Sequence, residues 1–272
     1  MTEERVAIVT GAARGIGSAT ARFLAADGWR LGLVDICTDD PVLAYSLGTK
    51  DELDGTAAAC GPDPVVVAAD VRDPAAIADA VAQVVDRFGR VDAAISAVGA
   101  IAGGPMGWQT DDEVWAAMID INLTGVWNLV RAAVPALLDV DEAEREGRLV
   151  VVSSAAGTYG LPQLAAYSAA KHGVNGLVKA LAAELAASGV TVNAVSPGST
   201  ATPMLDASAS VYDLPAAIEF AQHQRIGRLL EPEEVAAAIV WLCSGAASGV
   251  TGAVLPVDGG FGPAGGPVRQ LG

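Results

Sequence analysis

Cysteine is scarce in this 272-residue chain, and the three present, Cys37, Cys60 and Cys243, lack CxxC spacing. An odd, scattered set argues against a disulfide framework or a thiolate zinc site and points to the reduced thiols of a cytoplasmic protein. With only two histidines, no residues stand at metal-ligand spacing, so no metal is expected. Positive charge is short as well: 16 Lys and Arg face 32 Asp and Glu, a net charge of −16. Such a surface repels phosphate backbones and anionic lipid, which argues against nucleic-acid and membrane partners. Missing too is an apolar run continuous enough to cross a bilayer, and the acidic start "MTEERVAIVTG" is unlike a secretory leader. What abounds is apolar side chain, 52% of the chain, which is ample for a large buried core.

The apolar residues fall into short Val-rich runs at 6–11, 31–35, 65–70, 92–99, 147–154, 190–198 and 253–260. Consecutive rather than alternating apolar positions suit strands buried on both faces. Helical patterns lie between them, near 16–27, 51–59, 74–88, 111–138, 163–187 and 232–244. Strand followed by helix, repeated, predicts one α/β domain over 1–272: a doubly wound parallel sheet of about seven strands with helices on both faces. Two connections break the rhythm. Residues 36–50, "ICTDDPVLAYSLGTK", exceed an ordinary strand-to-helix loop, and 199–230 is long enough to form a mobile cover, so both are candidates for ligand contact.

"VAIVTGAARGIGSATARFLA" sets Gly11, Gly15 and Gly17 at a strand-to-helix junction. Glycines there allow a tight turn and close approach to a pyrophosphate, which the helix N-terminus then meets with free N–H groups. Asp35 ends the next strand, placed to accept hydrogen bonds from an adenosine ribose. Its carboxylate would repel a 2′-phosphate, so NAD is favoured over NADP; Arg14 in the loop argues the other way, and Asp35 outweighs it. Further on, "YGLPQLAAYSAAKHG" (159–173) spaces Tyr167 and Lys171 by four, on one face of an Ala-rich helix. The plain reading of that pair is a packed ring and a solvated ammonium. The chemical reading is a phenol, ordinarily titrating near ~10, whose ionisation a neighbouring ammonium favours.

These segments come in a particular order: "TGAARGIG", Asp70-Val71, "NLTGVW", "VVSSAAG", "YSAAK", "NAVSPGSTATPM", "GRLLEPEEVAAAIVWLCS" and "SGVTGAVLPVDGG". Over nearly the whole chain it resembles the classical short-chain dehydrogenase/reductases, enzymes with a Rossmann fold. The resemblance implies an NAD-dependent alcohol dehydrogenase or ketone reductase acting on a small-molecule alcohol or ketone. It gives Tyr167 the role of general acid/base and Lys171 those of electrostatic tuner and ribose ligand. Ser154, thirteen residues before Tyr167, would orient the substrate, with Ser153 the adjacent alternative, and Asn122 would hold a water of the proton relay. Asp70 would meet the adenine amine, Val71 would add a backbone contact, and Pro197, Gly198 and Thr202 would flank the nicotinamide amide. Ile16, Ile36, Gly99 and Thr200 complete the implied cofactor contacts.

One departure stands out: the family's Asn-Asn-Ala-Gly run reads "SAVG" here (96–99), which puts local bracing of the sheet in question. By the same resemblance, helices 111–138 and 163–187 would build a homotetramer, with the Gly-rich tail after Asp258 near a neighbour. The stretch after Asp35 looks like the extended loop of mycofactocin-associated dehydrogenases, which implies tightly held NAD(H) and mycofactocin as external electron acceptor. An ordinary ketone reductase with exchanging NAD(P)H and a non-catalytic NAD sensor are the alternatives. A methyltransferase binding a nucleoside in the glycine loop fits the Tyr-Lys pair poorly. Residues 100–110 and 203–225 are expected to shape an apolar substrate pocket, with Trp108, Trp115 and Met204 as candidate walls; His172, next to Lys171, points elsewhere on the helix.

Overall fold

Residues 4–262 are described by the computed structural model; the last ten residues of the Gly-rich tail lie outside them. Seven parallel strands form one sheet: β1 (Val6–Thr10), β2 (Arg30–Asp35), β3 (Val65–Ala68), β4 (Ala93–Ser96), β5 (Arg148–Val152), β6 (Thr191–Pro197) and β7 (Val254–Val257). Their order is β3-β2-β1-β4-β5-β6-β7. Every Val-rich run expected as a strand is one, and all but the run at 31–35 are shortened at their ends.

Helices cover both faces, as consecutive apolar strand residues require. Ile8, Leu149, Val151 and Val192 pack under α3 (Pro74–Phe88), α5 (Gly125–Leu138) and α6 (Ala165–Glu184). Their neighbours Val9, Val150, Val152 and Val195 pack on the other side, under α1 (Gly15–Ala26), α2 (Lys50–Ala59) and α8 (Pro232–Cys243). Each such aliphatic side chain contributes about 1.5–3 kcal/mol when fully buried, so two continuous layers stabilise the sheet from both sides. Local signals set the helix ends. Asp73 caps α3 by accepting from Ala75 and Ala76, Pro74 follows it, and Gly89 closes the helix at φ 80°. Thr49 and Glu52 form a capping box that starts α2.

The stretch expected as one helix over 111–138 is instead α4 (Asp112–Ile119), a π-helical turn at Asp120–Thr124, and α5. The extra residue of the π turn lies at Asn122, whose side chain bonds the Met118 carbonyl one turn back. Asp112–Leu138 is, by length and composition, apolar enough to cross a membrane, contrary to the sequence expectation. Half of its apolar window is buried in the fold, as in a core helix.

Segment 199–230 carries secondary structure of its own. It holds α7 (Pro203–Val211) and a 3-10 stretch at Ala217–His223, and a bridge between Thr200 and Leu230 closes it. A third apolar cluster sits at the C-terminal ends of the strands: Leu43 of the 36–50 insertion packs with Met118, Ile121, Leu164 and Tyr167. Because β1 has β2 on one side and β4 on the other, the crossovers diverge there and open a crevice at the strand ends.

Candidate active site

The crevice holds a pocket lined from one end to the other by residues expected from sequence: Gly11, Arg14, Gly15, Ile16, Asp35, Ile36, Asp70, Val71, Gly99, Tyr167, Lys171 and Thr202. At its phosphate end the construction is almost all backbone. Gly11 has φ +76°, and a Cβ there would stand 2.8 Å from the Ala97 backbone. Gly17 does not line the pocket; its Cα packs against the turn, where a Cβ would lie 1.9 Å from the Gly11 carbonyl oxygen. No side chain caps α1, so the N–H groups of its first turn are free to meet an anion.

Asp35 lies beside this turn. One carboxylate oxygen accepts from the Ala13 N–H at 2.9 Å, and the other lies against Gly48 of the insertion. Partial burial raises its pKa, opposed by N–H groups of Ala13, Ile36 and Cys37. Arg14 lines the pocket as well, and its guanidinium donates to the Ser46 carbonyl at 2.5 Å. Asp70 lines the same pocket. Its carboxylate is taken up by Arg72, with Nη2 at 2.6 Å and Nε at 2.9 Å. Burial raises the Asp70 carboxyl, but the hydrogen bonds and charge of Arg72 outweigh it and hold the group below its ordinary value.

At the chemical end, α6 carries Tyr167 and Lys171 on one face as the spacing requires, 4% and 1% exposed, with the ammonium 5.8 Å from the ring centroid. Lys171 donates to the Val152 carbonyl at 2.9 Å. In the protein alone, burial pushes Tyr167 up to about 12, Ser154 opposes this, and burial pushes Lys171 down to about 8. Burial is the largest influence on both groups. Of the two serines, Ser154 is the one close enough to the phenol to oppose the rise in its pKa, while Ser153 lines the pocket and its hydroxyl lies 3.4 Å from the Lys171 carbonyl.

Asn122 is fully buried behind the pocket. It accepts from Ala100 N–H at 3.2 Å and donates to the Ala100 carbonyl at 3.0 Å. That pair holds the chain leaving β4 at Ala100, just past the SAVG run. Pro197 and Gly198 stand behind the lining: a Cβ at Gly198 would meet Gln224 Oε1 at 2.4 Å. Thr200 is buried, its hydroxyl on the Gly198 carbonyl, while Thr202 starts α7 and reaches the pocket. Of the three proposed walls only Met204 lines the pocket; Trp108 is 84% exposed on a short turn, and Trp115 lies on the outer face of α4. His172 faces the Ser168 carbonyl, away from the site.

Asp40, Tyr45, Leu47, Gly48 and Arg72 also line the pocket. Four of these belong to the 36–50 insertion, and Arg72 is an addition to the residues expected from sequence. The acidic pair at 39–40 was the available signal, but its partner lies 32 residues away.

Sheet order and pocket define a doubly wound nucleotide-binding protein with a buried phenol and ammonium at the reacting end. The chain belongs to the short-chain dehydrogenase/reductase family of oxidoreductases, and a family model described as enoyl-(acyl carrier protein) reductase matches residues 11–262. It is 40% identical to (−)-trans-carveol dehydrogenase of Rhodococcus erythropolis over 95% of this chain and 97% of that one. Against cis-4-hydroxycyclohexanecarboxylate dehydrogenase of Sinomonas cyclohexanicum the identity is 39%, over 95% and 96%. The crystal structure of carveol dehydrogenase from Mycobacterium avium in complex with NAD superposes with a TM-score of 0.89 at 35% identity, over 95% and 98% of the two chains.

Proposed function

We propose that the chain is an NAD-dependent dehydrogenase/reductase of hydrophobic secondary alcohols and their ketones, holding NAD(H) beneath the 36–50 insertion and passing electrons on to mycofactocin. The observation that carries the reading is the convergence of the glycine turn, Asp35 and the Tyr167–Lys171 pair on one pocket, with Ser154 beside the phenol. The residues present fit NAD: uncapped N–H groups of α1 suit the pyrophosphate, and Asp35, held by Ala13 beside an apolar strand end, suits a ribose diol and disfavours a 2′-phosphate. Lys171 and Thr202 would hold the nicotinamide half. Bound there, the cofactor supplies the hydride acceptor or donor.

The proton chemistry belongs to the chain. With its pKa near 12, Tyr167 is protonated at neutral pH and stands ready to give its proton to a ketone oxygen. In the alcohol direction it must first lose that proton, and positive charge close to the ring, from Lys171 and from an oxidised nicotinamide, favours the loss. Ser154 steadies the substrate oxygen beside the phenol. The relatives named for carveol and for a hydroxycyclohexane carboxylate support a cyclic secondary alcohol as substrate, and the apolar wall of Val98, Ala100, Ile121 and Met204 suits one. The insertion's place in the pocket wall supports retained NAD and hence an external acceptor.

Replacing Tyr167 with Phe tests the reading. The ring still fills its site, so NAD binding should stay within a few-fold while turnover falls about a thousand-fold, the scale of a lost general acid/base. Near-normal turnover would remove Tyr167 from the chemistry.

A further inference from the structure

The insertion is fastened at three places around the pocket. At the adenine end Asp40 is buried; it pairs with Arg72 Nη1 at 2.7 Å, and its other oxygen accepts from the Val42 N–H. In the middle Gly48 lies on Asp35 and Ala13, and Arg14 holds the Ser46 carbonyl. At the chemical end the Tyr45 hydroxyl oxygen accepts from the Ile101 N–H at 3.0 Å, 56 residues away. The chain leaving β2 therefore crosses the crevice to the chain leaving β4.

That last contact falls on a sensitive piece of backbone. Gly99 lies within ordinary contact distance of Lys171 Nζ, Met204 and Asn122, judged from where a Cβ would stand. The next residue, Ala100, has both its backbone groups held from within by Asn122. Ile101 is held from outside, by Tyr45. The ring of Tyr45 packs in the same apolar cluster as Tyr167.

We propose that Tyr45 is a positioning residue of the active site: through the Ile101 N–H it fixes the Gly99–Ile101 backbone beside Lys171, so that seating the insertion and placing the substrate become one event. The inference rests on the dehydrogenase reading and deepens it. An enzyme built this way cannot release its cofactor through the crevice without also loosening its substrate wall. Substrate placement and cofactor retention then share one hydrogen bond.

Tyr45→Phe keeps the ring and removes the acceptor. Three readouts should move together: labelled NAD should leave about tenfold faster, the factor expected for one hydrogen bond to a partly buried N–H, and KM for the alcohol should rise more than kcat falls. The third is amide hydrogen exchange in the 98–104 segment, which should quicken. Tyr45→Ala removes the ring as well; if the hydroxyl carries the role, Phe should show most of the Ala effect. A Phe variant that matches the wild type in NAD release, KM and amide exchange overturns the proposal, however impaired the Ala variant is. So does a variant with lowered thermal stability and unchanged amide exchange. Failure of the dehydrogenase reading looks different: the wild type itself would bind no NAD or oxidise no alcohol, whereas amide exchange reports the Tyr45 contact without turnover.

Discussion

The two ends of the pocket are made by opposite means. At the phosphate end the site consists of missing atoms: glycines at 11 and 17 let the α1 turn close down and leave uncharged N–H groups at the helix start. At the chemical end it consists of atoms that the fold would rather not bury, a phenol driven up to about 12 and an ammonium driven down to about 8. The first kind of site costs little in the folded state but tolerates no added carbon. The second tolerates substitution by apolar residues, and its cost is electrostatic. The insertion touches both ends.

The comparison is broken most directly at Gly17. A methyl group there would stand 1.9 Å from a backbone oxygen, with no flexible side chain to give way. Gly17→Ala should therefore distort the turn, weaken NAD binding by more than about a hundred-fold and cost several kcal/mol of stability, as overpacking against backbone does. Isothermal titration with NAD and a thermal melt check both. A variant that binds NAD like the wild type would show the turn to be softer than its contacts imply.

A smaller effect is expected from replacing 38–49 with a short Gly-Ser turn. The pins at Asp40, Ser46 and Tyr45 go together, yet both sheet faces keep their helices, so the protein should still fold. Release of labelled NAD should accelerate by roughly a hundred-fold, an effect on the dissociation rate rather than on encounter. Wild-type enzyme should turn over poorly with added NAD and well with an artificial electron acceptor, and the shortened enzyme should do the reverse. Exchange of labelled NAD into the wild type within seconds would leave the insertion without a retaining role.

The same contrast explains what could be read in advance. Strands buried on both faces announce themselves by consecutive valines, and "VAIVT", "RLVVV" and "TVNAVSP" became β1, β5 and β6 with trimmed ends. The glycine turn and the Tyr167–Lys171 spacing are local patterns, so they too were visible. Three things were not. The π turn at Asn122 adds one residue to a long apolar helix, which its periodicity hides. The Asp40–Arg72 and Tyr45–Ile101 contacts join residues 32 and 56 apart, and nothing local encodes them. The rise of the Tyr167 pKa in the protein alone comes from depth of burial, a property of the assembled fold that the spacing to Lys171 does not carry.

The last and smallest effect concerns the stability cost at Lys171. In the folded protein its pKa falls from an ordinary 10.5 to about 8, and burial is the cause. At pH 7 the lysine is charged both folded and unfolded, so the folded state bears the full penalty, about 3 kcal/mol for a displacement of that size. Lys171→Met removes the penalty and keeps an unbranched side chain, at the cost of about 1 kcal/mol for the hydrogen bond to the Val152 carbonyl. The variant should be inactive yet more stable than the wild type by about 2 kcal/mol at pH 7. The sign of the pH dependence follows from proton counting. Between about 8 and 10.5 the unfolded lysine is protonated and the folded one is not, so wild-type stability rises with pH and the gap to the variant closes. Denaturant unfolding of both proteins at pH 7 and pH 10 measures that gap, since the titration of the rest of the chain cancels in the difference. A variant less stable than the wild type at pH 7 would mean that Lys171 is held by interactions stronger than its burial cost, and the contrast between the two ends of the pocket would then fail.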